Sequence, residues 1–317
     1  MKVFVIFLTL LLPALAADPK YDPSRRPEKT ETHLTSFTYS DREVPLKVYL
    51  PATKPAPVIL LSHGLGGSRE VGTYLGEHWA ARGYVVVAMQ HPGSDSAVWE
   101  NTPPARRLAA MKAAASTESF LNRTRDVPAT LDQLSKWNRE EKHFLEGRLN
   151  LKKVGMTGHS FGAVTTQAAS GQSFGPVGAK YTDKRIDAAL ALSPSAPRMG
   201  TAEKAFSEIE LPMMLMTGTK DKSMIGGATP ESRREVYAAL PSGSKYELVL
   251  KDGEHMAFSD RTLRGKAHRN PNHHKIILAL SSAFWDAYLA EKPEALKWLE
   301  STQPEKLLEP GDLWLSK

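Results

Sequence analysis

Gly158-His159-Ser160-Phe161-Gly162 is a G-x-S-x-G pentapeptide at the end of the apolar run 154–157, and a helix-compatible stretch, 161–170, follows it directly. A strand that turns sharply into a helix forces the central residue into a strained backbone, and glycines two before and two after leave room for it. Ser160 Oγ would then stand above a sheet, beside a helix N-terminus. A serine hydroxyl is a poor nucleophile at neutral pH, so this reading demands a general base and an acid that orients it.

In an open α/β sheet such groups sit beyond the carboxyl ends of strands. His255 follows the strand-like run 246–250, in the loop Lys251-Asp252-Gly253-Glu254-His255-Met256. Of the 10 histidines it alone combines a late strand, a glycine-containing loop and a preceding acid. It is the candidate base, taking the serine proton and later returning it to the leaving group. Asp221 follows the run 211–217, in Gly218-Thr219-Lys220-Asp221. It is the candidate acid: taken alone, an aspartate there could make a turn or a helix cap, but its place between Ser160 and His255 in chain order favours the acid. Asp252 and Asp187 are the alternatives, and Glu254, adjacent to His255, is expected to point elsewhere. The glycines of His63-Gly64-Leu65-Gly66-Gly67 would let backbone N–H groups face the site. Leu65 and Phe161 are the expected oxyanion donors, and His63 is expected to fix the loop.

These residues need a scaffold of buried strands. Residues 34–39 and 44–50 read as an antiparallel hairpin about Ser40-Asp41-Arg42. Runs 57–62 and 84–89 are apolar throughout, as in parallel strands covered on both faces. Between them a helix is expected, capped by Ser68, burying Val71, Leu75, His78 and Trp79 on one face and ending at Gly83. Strand, helix, strand implies a right-handed crossover. Asp126 is expected to cap a helix running through Leu131 and Leu134 to Trp137. Strands at 154–157, 186–192, 211–217 and 246–250 and a closing helix at 276–289 complete one α/β domain over 34–291, with a mostly parallel central sheet flanked by helices. Two long segments, 91–124 and 171–185, are the expected walls of the site. Residues 17–33 read as a loose polar leader, and 292–317 as a tail packed on the outside.

The chain of 317 residues is 41% hydrophobic and 24% charged, enough to bury a large core. Lys2, the apolar run 3–12 and Ala14-Leu15-Ala16 have the order of an export signal, cleaved near Ala16 to leave Ala17 first. The apolar run is short for a membrane span, so a periplasmic or secreted protein without stable membrane insertion is expected. There is no cysteine, which excludes disulfides, thiol nucleophiles and thiolate metal ligands. The formal charge of +6 is scattered, with no basic stripe suited to nucleic acid. His268, His273 and His274 lack a recognised metal-ligand spacing, and the proposed chemistry needs neither metal nor cofactor.

With these motifs in hand, the chain resembles the α/β-hydrolase superfamily over about 34–290. It is most similar to dienelactone-hydrolase-like esterases, including bacterial relatives of platelet-activating-factor acetylhydrolase and polyester-degrading cutinases. The resemblance is carried by His63-Gly64-Leu65-Gly66-Gly67, His91-Pro92-Gly93-Ser94-Asp95 and Gly158-His159-Ser160-Phe161-Gly162, supported by Arg125-Asp126 and Leu131-Asp132-Gln133-Leu134. It implies a Ser160–His255–Asp221 triad, an acyl-enzyme and a small-molecule carboxylic ester as substrate. Two departures stand out. The acetylhydrolase branch carries its acid one strand earlier, where this chain reads Leu192-Ser193-Pro194-Ser195. Polyester-active cutinases carry an aromatic residue where Ser195 stands, and a disulfide that is impossible here. A peptidase or amidase on the same fold, or a catalytically silent binding protein, are the alternative readings.

Overall fold

The computed structural model describes residues 21–260 and 270–317. The export-signal reading of residues 1–16 and His268 both lie outside the described residues.

The chain runs β1 (Thr30–Tyr39), β2 (Arg42–Pro51), β3 (Ala56–Ser62), α1 (Thr73–Ala80), β4 (Val85–Met89), α2 (Ala97–Glu100), α3 (Pro104–Ala114), α4 (Thr117–Trp137), β5 (Leu149–His159) and α5 (Phe161–Ala169). It continues with β6 (Ala188–Leu192), α6 (Ala202–Phe206), β7 (Met213–Lys220), α7 (Pro230–Ala239), β8 (Lys245–Glu254), α8 (Pro271–Tyr288), α9 (Pro293–Leu299) and β9 (Leu313–Ser316). Among the described residues one sheet holds nine strands in the order β1-β2-β4-β3-β5-β6-β7-β8-β9. Strands β4, β3, β5, β6, β7 and β8 are mutually parallel, and β1, β2 and β9 extend the edges antiparallel. This is the α/β-hydrolase arrangement expected from the alternation of apolar runs and amphipathic helices.

The central strands explain their own composition. Every residue of β4 (Val-Val-Val-Ala-Met) and β6 (Ala-Ala-Leu-Ala-Leu) is buried. Helices cover both faces, so no position can alternate to water. One core lies under α1 and α8, with Trp79 and Trp285 in edge-to-face contact at 5.7 Å. A second lies under α4, built on Val127, Leu131 and Leu134.

Two local readings change in the structure. Ser68 does not cap α1; its hydroxyl only accepts the Glu70 amide at 3.3 Å. The N-terminus of α1 is instead capped from far along the chain, by Asp260 on the amides of Gly72 and Thr73 (3.2 and 2.8 Å). Asp126 is not a cap either. Helix α4 begins ten residues earlier at its N-cap Ser116, and it passes through Asp126 and Pro128. Segment 171–185, an expected wall of the site, follows α5 and packs Phe174 and Tyr181 on Phe120 of α4.

The termini are more integrated than polarity suggests. Thr30–His33, read as leader, begin β1. Tyr21 donates to the buried carboxylate of Asp286, which also pairs with Arg82 at 2.6 Å. At the other end, 313–316 form a ninth strand, and Trp314 stacks on Tyr246. A polar segment can still add a strand at a sheet edge, because ladder hydrogen bonds need only backbone.

Candidate active site

Ser160 sits between β5 and α5 with φ 58° and ψ −113°, a backbone that a non-glycine residue holds only under constraint. The constraint is visible at the flanking glycines. A Cβ on Gly162 would overlap the Ser62 carbonyl oxygen, and one on Gly158 would overlap the Gly162 carbonyl. Neither obstacle is a flexible side-chain end, so no neighbour can yield. The Ser160 amide donates to Leu192 of β6 at 2.9 Å, which fixes the turn to the sheet.

The structure brings together the three residues that the sequence singled out. His255 Nε2 lies 2.9 Å from Ser160 Oγ, and His255 Nδ1 lies 2.7 Å from Asp221 Oδ1. Both are within the reach needed for a serine–base–acid relay. Asp221 is fully buried, while His255 and Ser160 are partly accessible. Of the alternative acids, Asp252 faces Lys220 at 2.8 Å and Asp187 holds the Val154 amide at 2.7 Å. The place after β6 is occupied by Ser193, whose hydroxyl donates to Asp221 Oδ2 at 2.7 Å.

Arg233, which sequence reasoning passed over, completes this cluster. A capping box at Thr229 and Ser232 starts α7 and sets Arg233 one turn in. Its guanidinium is 1% exposed; Nε lies 3.0 Å from Asp221 Oδ1 and Nη1 donates to the carbonyls of Ser193 and Pro194 at 2.9 and 2.7 Å. Burial by itself would raise the Asp221 carboxyl. The hydrogen bond to His255, the Arg233 charge and the Ser193 hydroxyl outweigh it, and the carboxyl is held below its usual range. Arg233 Nη2 also stands 3.2 Å from His255 Nδ1. When Nδ1 carries a proton for Asp221 this contact joins two donors, so it is charge proximity rather than a hydrogen bond.

The loop 63–67 lies beside the serine: a Cβ on Gly64 would come within 3.5 Å of Ser160 Cβ. No hydrogen bond occupies the backbone N–H groups of Leu65 and Phe161 among the described residues. An N–H pair flanking a serine can receive negative charge developing on a carbonyl oxygen. The 91–124 insertion holds this loop from above. Trp99 Nε1 donates to the Gly66 carbonyl at 2.8 Å, and the Gly66 amide donates to Ser94 at 2.8 Å.

Beneath the loop runs a second serine–histidine–aspartate chain. His91 lies 2.9 Å from Ser62 Oγ and 2.8 Å from Asp126 Oδ2, and Asp126 also pairs with Arg42 at 2.7 Å. Ser62, His91 and Asp126 are all buried, so this chain braces the scaffold and cannot meet a substrate. His63, read as a loop-fixing residue, accepts the His91 amide at 3.0 Å.

Buried histidines make the fold acid-sensitive. Burial, with nearby arginines, pushes His78 and His91 down to about 4, and burial, with His255, pushes His159 down to about 3. In the unfolded chain these side chains bind protons near pH 6.5, so the unfolded state gains protons first as pH falls. Stability is therefore expected to drop between pH 6.5 and 4, by roughly 3 kcal/mol for each of His78 and His91. Asp126, held low despite burial by Arg42 and His91, adds a further loss below its ordinary value. Urea midpoints at pH 7.5 and 4.5 check this; equal midpoints would contradict it.

His273 is buried and lies 3.2 Å from the Lys251 carbonyl, and His274 stacks on Tyr74. No group of three or more metal-ligating side chains occurs among the described residues. No described helix is long and apolar enough to cross a membrane.

Residues 29–116 match the family model of platelet-activating factor acetylhydrolase, isoform II. The chain is similar to that family from β1 through α3, a stretch that includes the 63–67 loop and ends before Ser160, Asp221 and His255. The similarity and the sheet agree on an α/β-hydrolase, and the family points to hydrolysis of ester bonds. No curated protein matches the chain.

Proposed function

We propose that this α/β-hydrolase, acetylhydrolase-like over its first third, is a serine carboxylic-ester hydrolase. The observation that carries the reading is the continuous contact from Ser160 Oγ through His255 to Asp221, at 2.9 and 2.7 Å. Ser160 attacks the ester carbonyl while His255 Nε2 takes its proton. The carbonyl oxygen, now negative, accepts from the N–H groups of Leu65 and Phe161. Collapse expels the alcohol, protonated by His255, and leaves an acyl-Ser160 ester. Water then attacks the acyl carbonyl as it gives up a proton to His255, and His255 returns that proton to Ser160 Oγ as the acid leaves. Asp221 holds the productive tautomer throughout and stabilises the imidazolium. The substrate is a small-molecule ester, and the steps require no cofactor. We also propose that residues 1–16 are an export signal, which the mass of the mature protein from the periplasm or medium would check.

Hydrolysis of p-nitrophenyl esters from acetate to palmitate tests the reading, beside matched anilides and labelling by a fluorophosphonate. Ester turnover well above anilide turnover is expected, with labelling on Ser160. Faster anilide cleavage would make the chain an amidase or peptidase. A folded protein that neither turns over nor labels would make it a binding protein on this fold.

A further inference from the structure

Arg123 lies in the second turn of α4 and is completely buried. Its guanidinium donates from Nε to Ser94 Oγ at 2.8 Å and from Nη1 to the His63 carbonyl at 2.7 Å. Its flat face rests 4.4 Å from the centre of the Phe161 ring. Among the described residues no carboxylate stands within ion-pair distance of it. Asp126 is already engaged by Arg42, and Asp95 accepts from Gln90. Burying a cation on neutral dipoles alone costs several kcal/mol. The strain is visible in the side chain's acidity: burial pulls it down to about 9, against the distant pull of Asp126 and Asp95. A folded protein with 35 acidic residues could neutralise such a charge, yet here the guanidinium is left on neutral partners at this place. That place touches both halves of the proposed oxyanion pocket, the loop that carries Leu65 and the side chain of Phe161.

We propose that Arg123 is a positioning residue for the oxyanion pocket, locking the 63–67 loop against Phe161 and supplying a fixed positive charge behind the two N–H donors. This rests on the ester-hydrolase reading. In the ground state the carbonyl is neutral and gains little from the cation; in the tetrahedral state it is negative and gains most. The effect therefore belongs to kcat rather than to KM.

The test compares wild type with Arg123→Met, Arg123→Lys and Ser94→Ala on p-nitrophenyl acetate, and measures inhibition by a phenyl trifluoromethyl ketone, which forms a tetrahedral oxyanion on serine. For Arg123→Met, kcat is expected to fall about 100-fold with KM within about threefold, and ketone affinity to fall in step with kcat/KM. Arg123→Lys should recover about tenfold of the loss, because lysine keeps the charge but not the two-sided reach. A folded Arg123→Met enzyme with kcat near wild type would overturn the proposal. So would a loss of turnover with ketone affinity unchanged, which is the signature of a merely structural role. If Arg123→Met does not fold, Ser94→Ala decides: a several-fold lower kcat at constant KM supports the proposal, and an unchanged kcat sinks it. Wild-type protein that neither hydrolyses the ester nor labels at Ser160 would instead overturn the ester-hydrolase reading itself.

Discussion

Ser160→Ala is expected to lower kcat for ester hydrolysis by about 10⁴- to 10⁶-fold, with little change in KM and complete loss of fluorophosphonate labelling. The size follows from the chemistry: without Oγ there is no acyl-enzyme, and only binding and the N–H donors remain. The fold should survive. Alanine keeps the Cβ, and the backbone at φ 58° is imposed by the glycines, by the hydrogen bond from the Ser160 N–H to the Leu192 carbonyl and by α5. Kinetics alongside circular dichroism check this. Residual turnover above about 1% would place the nucleophile elsewhere, since triad serines contribute far more than that.

Asp221→Asn is expected to cost about 10⁴-fold in kcat, again with the fold intact. The carboxylate normally accepts a hydrogen bond from His255 Nδ1–H, which keeps the proton on that nitrogen and leaves Nε2 bare to accept from Ser160. An amide has no such preference. Arg233 makes the loss steeper, because its Nη2 stands 3.2 Å from Nδ1 and can donate to that nitrogen once it is bare. The proton then resides on Nε2, and the imidazole can no longer act as a base toward serine. Asp252→Asn is the contrasting variant. Asp252 is exposed and paired with Lys220, and a surface pair contributes about 1 kcal/mol or less, so kcat should stay within about twofold. Equal losses in the two variants would mean that Asp221 is not the orienting acid.

What could be read from the chain alone has a common physical character. The G-x-S-x-G turn is legible because its constraint is local: a Cβ on Gly158 would meet the Gly162 carbonyl, and that demand is met within five residues. The parallel strands are legible because burial on both faces leaves continuous apolar runs, as in Val85–Met89. Chain order then placed an acid and a histidine beyond strand ends, where the sheet's handedness carries them to the serine.

Tertiary structure alone decided the groups whose role depends on distant partners. Asp126 reads from the sequence as a helix cap; buried packing of α4 instead carries the helix through Asp126 and Pro128, and the carboxylate reaches Arg42 and His91. The cap of α1 comes from Asp260, 188 residues away from Gly72. Arg123 and Arg233 carry no distinguishing sequence signal among 41 lysines and arginines. Local backbone preference is encoded by a residue and its neighbours. Whether a charge is buried, and against what, is set only when segments far apart in the chain close around it.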